Sequence, residues 1–463
     1  MSEKRLWARA SFGELTWTRV VWFLIIWLTL FALGTLFVAN PFWLEKSASA
    51  TPNYSHVMYL HGLLVGLAGI VVLIACEIFE IRSRRVRGFI LFASVITTVL
   101  VGIGGIFDAS QTVQWFWLSL HVVGFFSLDG IFVAFLVGLF QDLRTGSEAS
   151  GSLPYWCAII SAFSLEFAAL MGHAAGWILD FGDHPSFIGK WAGLVGEKVS
   201  DLSDNLTTSH SHEIVVAMLA LLAAMIAWRF GYKSLVGRAK SIARLGLLLV
   251  VAGTLIVTIM YVIGGFTSIE PPTLFVSGAN GVNGLASDDL VSGIGVVLGG
   301  LLVISVLFFA SRQSNHLPSS ERSTLFSVAS FWLMLVISVV GAGYFIEAHE
   351  TMFGAGDAGA PLAMSDAVYT FAHQDFAFFL LPASLVLVLL ADPLLGNRAK
   401  WISRITLIGI SVAFVGILIY IFIDPGSVYG SGYAVASVGV LTILVGVIIF
   451  LKRSWDSCFT RRA

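Results

Sequence analysis

Apolar residues in this chain neither alternate nor mark one helical face; they come in long runs separated by polar breaks. A helix needs roughly 20 apolar residues to cross a hydrocarbon core about 30 Å thick, and twelve segments meet that length. Numbered in order as spans 1 to 12, they begin near Val20, Val57, Gly88, Trp115, Tyr155, Glu213, Leu245, Val291, Leu325, Ala367, Trp401 and Tyr433. They end near Val38, Phe79, Phe107, Phe140, Leu179, Trp228, Phe266, Ala310, Phe345, Leu390, Ile423 and Leu451. Apolarity on every side is what helices surrounded by lipid or by other helices carry. Some connections are long: about 30 residues between spans 5 and 6, and roughly 20 to 25 after spans 7 and 9. These are acidic and Gly-rich, with Asp180, Asp183, Asp201 and Asp204 in the first and Pro271-Pro272 stiffening the second. None is long enough for a separate soluble domain. The pattern predicts an all-α polytopic membrane protein of about 12 transmembrane helices, a single transmembrane domain over 1–463.

Composition narrows the class. Hydrophobic residues make up 57% of the 463 and charged ones 12%, and mean hydropathy is +0.89. A soluble domain carries charge on about a quarter of its residues, so a soluble enzyme is excluded. The formal charge of −2 offers nothing to nucleic acid. Charge does set orientation. Of the 26 Lys and Arg residues, only Lys46, Lys190 and Lys198 fall in one set of alternate loops; the other 23 lie at the termini and in the remaining connections. By the positive-inside rule both termini are cytoplasmic, in the inner (plasma) membrane, with the lipid bilayer as the first partner. Span 1 has no cleavage site after a short apolar stretch and reads as retained. Cys76, Cys157 and Cys458 form no CxxC pair and no disulfide framework.

The histidines are ordinary in number and unusual in depth. In this topology nine of ten belong to the outer half, and only His316 is cytoplasmic. His56 and His61 enter span 2, His121 span 4, His210 and His212 span 6, and His373 span 10, while His173 lies near the outer end of span 5. His61, His121 and His173 stand roughly 6 to 9 Å inside their helix ends at 1.5 Å per residue. Imidazoles gathered at one depth of a bundle suggest metal or haem ligands, although polar rings also favour interfaces. A weak repeat accompanies them. Tyr54-Ser-His-Val-Met-Tyr-Leu-His61 opens span 2, Ser209-His-Ser-His212-Glu opens span 6, and Phe371-Ala-His373-Gln-Asp opens span 10.

Twelve helices with ligand-type residues at spans 2, 6 and 10 read as three pseudo-repeated four-helix arcs. That architecture resembles the catalytic subunit of the haem-copper oxidase superfamily, nitric oxide reductases included, and also the NnrS-type haem- and copper-containing membrane proteins. The resemblance implies that His61 and His373 ligate a low-spin haem of b type; His121, at similar depth on span 4, is the rival partner of His61. Gly62, Gly66 and Gly69 would then admit a flat macrocycle, and Trp115 and Trp117 would edge it. It implies a second metal as well, copper or non-haem iron, on His173, His210 and His212 with Glu213 beside them. Electrons would arrive at the outer face from a cytochrome, a cupredoxin or other subunits.

The residues themselves add two readings. Glu166, Leu170, His173 and Trp177 follow 4-3-4 spacing, which puts Glu166 and His173 on one helix face about 10 Å apart. Asp129 lies eight residues beyond His121, mid-membrane, where a carboxylate is costly unless paired or functional. His210 and His212 are two apart, hence about 200° apart on a helix, and Ser209 or Ser211 would cap it with Glu213 in the first turn. The expected function is therefore a membrane haem or metal redox subunit of a respiratory chain that reduces a small diatomic, O2 or NO. Asp129, Glu166 and Glu213 would be its catalytic residues, with protons passed along Asp129 and Glu166. A proton-coupled secondary transporter and a non-catalytic assembly subunit are the alternatives.

Overall fold

A computed structural model describes residues 19–27, 52–108, 114–146, 149–181, 187–196, 198–267, 284–314, 317–353, 376, 379–423 and 430–455. Among them the chain is all helical, with thirteen α-helices and no strand. These are α1 (19–27), α2 (Pro52–Ile78), α3 (Arg84–Asp108), α4 (Gln114–Thr145), α5 (Leu153–Phe181), α6 (Phe187–Val195) and α7 (Val199–Arg229). They continue as α8 (Gly237–Thr267), α9 (Gly284–Ser314), α10 (Ser319–Phe353), α11 (Leu381–Leu395), α12 (Ala399–Phe422) and α13 (Ser431–Trp455). Ten of them contain an apolar stretch long enough to cross a membrane, and these match spans 2 to 9, 11 and 12. Spans 1 and 10 are described only in part, as α1 and as the apolar Leu381–Ala391 of α11.

The helices outrun the apolar segments. α7 begins at Val199, well before Glu213, so neither Ser209 nor Ser211 caps it; Lys198 holds the N-cap position without a side-chain bond. The long connection between spans 5 and 6 contains α6, which the hydropathy pattern does not reveal. Apolar content measures what hydrocarbon will accept, whereas intrahelical hydrogen bonding continues into polar sequence.

The chain divides into two compact units. The first takes 1–78, 87–127 and 307–463, and the second 79–86 and 128–306.

In the first unit α12 and α13 pack most closely, with α10 and α11 against α12. Gly416 and Gly432 allow this: a Cβ on Gly416 would stand 2.3 Å from the Ala436 nitrogen, and one on Gly432 2.4 Å from that of Tyr420. Small residues that bring backbones together are how helices associate in lipid, where burial of apolar surface gives no drive. α1 joins the same group, its Trp22 indole N–H donating to Ser454 Oγ at 2.8 Å. α3 crosses α4 at Gly104 and Gly124, where a Cβ would meet the His121 nitrogen and the Val101 nitrogen at 2.9 Å each. Arg87 of α3 pairs with the buried Glu77 of α2.

The second unit is built on α5, α7 and α8, which all pack on one another. Met171, Ala175, Leu202, Leu206, Val257 and Tyr261 form a buried cluster where the three meet. Its other end is tied by polar contacts. Asp142 accepts from the Arg82 backbone N–H at 3.0 Å, and the Tyr155 hydroxyl donates to the Leu139 carbonyl. Cys157 here, and Cys76 in the first unit, are buried and outside any disulfide.

Large apolar side chains point outward throughout. Phe92 is 67% exposed, Phe126 59% and Ile259 55%. In water such a surface would be an aggregation liability, but in a bilayer it is the ordinary lipid face. The fold is that of an all-α polytopic membrane protein.

Candidate functional site

In the second unit, the 4-3-4 spacing on α5 does what it predicts: Glu166 and His173 lie on one face, seven residues apart. That face meets α4. His173 Nε2 stands 2.7 Å from Asp129 Oδ2, and both side chains are largely buried. Glu166 lies near enough to feel the charges of both Asp129 and His173. A carboxyl group facing an imidazole across two apolar helices gives each a polar neighbour, which lowers the cost either group would carry alone in the membrane. The two residues enter the sequence reading under different roles, Asp129 for protons and His173 for metal. The fold makes them one group.

His210 on α7 reaches across to α5. Its Nδ1 lies 2.6 Å from the Ala168 carbonyl, and since a carbonyl only accepts, the hydrogen sits on Nδ1. Gly172 makes the space: a Cβ there would fall 2.6 Å from His210 Cε1 and Nδ1. His210 is also close enough to His173 for their charges to interact. His212, two residues on, turns to another neighbour and stacks on Tyr261 of α8, ring centroids 6.1 Å apart and 28° between planes. The roughly 200° between the two rings thus sends one to α5 and the other to α8, as their helical spacing requires.

Glu213 is 0% exposed. It accepts from the Ser164 hydroxyl of α5 at 3.1 Å, and Ser164 in turn receives from Thr258 of α8 at 2.8 Å. Neither hydroxyl figures among the sequence candidates. Serine and threonine in apolar helices ordinarily donate to the carbonyl four residues back, as Ser161 and Thr254 do here. Ser164 departs from that habit, and nothing in a single sequence marks which hydroxyl will.

The four residues expected around a second metal therefore take separate partners: His173 with Asp129, His210 with the Ala168 carbonyl, His212 with Tyr261, Glu213 with Ser164. Among the described residues no three His, Cys, Asp or Glu side chains are grouped to hold a metal ion.

The first unit brings together His61 of α2 and His121 of α4. Their ring centroids are 5.5 Å apart with 49° between planes, and Phe125 sets its edge against both, at 5.2 and 4.7 Å. His121 is 4% exposed. Two imidazoles on opposite faces of one haem iron would hold their centroids about 6 Å apart, given metal–nitrogen bonds of about 2 Å, with the macrocycle filling the gap. The rings as placed stand slightly closer than that and tilted to one another, with Phe125 against both. Gly69, expected to admit a macrocycle, faces α3 instead, where its Cβ would lie 3.1 Å from Ser94 Oγ. The Trp117 carbonyl lies against Gly104. His373 and His316 fall outside the described residues, as do the side chains of His56, Trp115 and His349.

Comparison with protein-family models, curated proteins and solved structures finds no match for this chain.

Proposed function

We propose that this chain is a proton-carrying membrane subunit of a redox complex, of the kind that reduces a small diatomic such as O2 or NO. The observation that carries the proposal is the Asp129–His173 pair with Glu166 beside it, inside spans that are otherwise apolar. Groups that cost so much in hydrocarbon are kept for proton or ion movement. His173 Nε2 and Asp129 Oδ2 stand 2.7 Å apart, and the charges of both act on Glu166, so the three form one polar group for a proton to cross. The imidazole pair His61–His121 serves the electron side, holding a metal ion such as copper that supplies one-electron chemistry when bound. No step is assigned to haem.

A second reading, the proton-coupled carrier, draws on Asp129's place near the middle of the Ser119–Thr145 span. Carriers keep their coupling groups near the midplane.

One preparation separates the two. The purified protein is analysed for metals and by oxidised and reduced optical spectra, then reconstituted into vesicles containing a pH-sensitive dye. The redox reading expects bound metal and proton uptake driven by an electron donor, lost in Asp129→Asn. Metal-free protein whose proton flux follows a solute gradient would establish the carrier instead. Proton movement indifferent to Asp129→Asn and to His173→Gln would sink both.

A further inference from the structure

The buried Glu213 is a different kind of group from the Asp129–His173 pair. It lies at the junction of α5, α7 and α8, and its Oε1 accepts from the Ser164 hydroxyl, which in turn accepts from Thr258. Its second oxygen, Oε2, is buried with no hydrogen-bond partner among the described residues. Three titratable neighbours on these helices have other partners, and among the described residues no cation is paired with Glu213. Glu166 feels Asp129 and His173, His210 bonds the Ala168 carbonyl, and His212 stacks on Tyr261. An ionised carboxylate here would thus have no counter-charge, and a bare buried charge is far costlier than a neutral acid.

Thr258 shows how the site accommodates both forms. Its single hydroxyl hydrogen has two acceptors in range, Ser164 Oγ at 2.8 Å and its own helix's Thr254 carbonyl at 2.9 Å. Only one is used at a time. With a proton on Glu213, the acid donates to Ser164, Ser164 donates to Thr258, and Thr258 donates to the Thr254 carbonyl. With the proton gone, Thr258 donates to Ser164 and Ser164 to the carboxylate. Every hydrogen is accounted for in each state, and the only net change is the one proton gained or lost by Glu213.

We propose that Glu213, Ser164 and Thr258 form a reversible proton-binding site in which the two hydroxyls reverse direction as the carboxyl loads and unloads. The site holds under either reading of the protein's function, because it needs neither a metal nor a solute. Its three oxygens are also a donor set that a hard alkali cation accepts, and hydrogen-bond spacings of 2.8 and 3.1 Å favour the proton.

Infrared difference spectroscopy of the full-length protein in lipid vesicles tests it. A protonated carboxyl band is expected that Glu213→Gln abolishes and Glu166→Gln leaves in place. Ser164→Ala and Thr258→Val should each move the band to higher frequency, as a carboxyl does on losing a hydrogen bond, and Thr258→Ser should restore it. A band that survives Glu213→Gln, or one indifferent to both hydroxyl deletions, overturns the proposal. So does loss of the band on adding sodium at constant pH, which would assign the site to an alkali cation. Proton uptake that survives Asp129→Asn while the Glu213 band behaves as expected fails the functional reading alone; a band that survives Glu213→Gln while Asp129→Asn abolishes uptake fails this proposal alone.

Discussion

Histidine appears in both units, and its neighbours decide what it can do. In the second unit His173 faces a carboxylate at 2.7 Å and a second carboxyl lies within charge range. In the first, His61 faces another imidazole and the edge of a phenyl ring. An acid beside an imidazole offers it a charged partner, whereas a second imidazole offers another ring nitrogen of the kind that ligates metals. The roles proposed above, proton carriage in one unit and ligation in the other, rest on that difference of neighbours.

The sharpest way to break this contrast is at Asp129. Asp129→Ala leaves His173 without its acid and should cost about 3 kcal/mol, the usual penalty for removing one member of a buried pair, seen as a lowered unfolding midpoint in detergent. Proton uptake in vesicles should fall at least about tenfold, a change of about 1.4 kcal/mol in the barrier. A variant as stable and as active as the parent would mean the pair is incidental.

A smaller effect is expected at Gly172. A methyl group there enters the His210 ring, so Gly172→Ala should destabilise by about 1–3 kcal/mol through overpacking. Gly189→Ala on α6, where nothing lies within 4 Å of the added carbon, should leave the unfolding midpoint unchanged. On the ligand side, His61→Ala and His121→Ala should each remove the same bound metal in elemental analysis, with the fold retained. Loss in one and not the other would dissolve the pair. The mildest change is His212→Phe. A phenyl ring keeps the stack on Tyr261, so the shift should stay below about 1 kcal/mol, with proton uptake unaltered. A large loss would give His212 a chemical role that its contacts do not require.

The spans were legible because hydrocarbon makes one demand on every residue in turn, and unbroken apolarity answers it directly. α6 and the first turns of α7 were hidden, since helices beyond the bilayer need no such run. The helix faces were legible too: Glu166 with His173, and His210 opposed to His212, follow from 3.6-residue geometry alone. Which helix each face would meet was not. Asp129 opposite His173 depends on the packing of helices distant in sequence, and a single chain carries no record of that; His121 beside His61 is the alternative that their shared depth already offered. Ser164 and Thr258 escaped for a related reason, because their usual partner is their own backbone.

The division of the chain also bears on the order in which it can be completed during synthesis. Nearly all of the second unit comes from one continuous stretch, 128–306, whereas the first is assembled from 1–78, 87–127 and 307–463. At a ribosomal rate of about 5–20 residues per second, the last segment arrives roughly 10 to 30 s after α9. During that interval the three-helix core of α5, α7 and α8 has all its members, while α12 and α13, whose glycines make the closest crossing of the first unit, do not yet exist. The half of the molecule that begins first is the half completed last: α2, α3 and the first turns of α4 can pair with one another at once, and α10 to α13 are added to that unit only after α9.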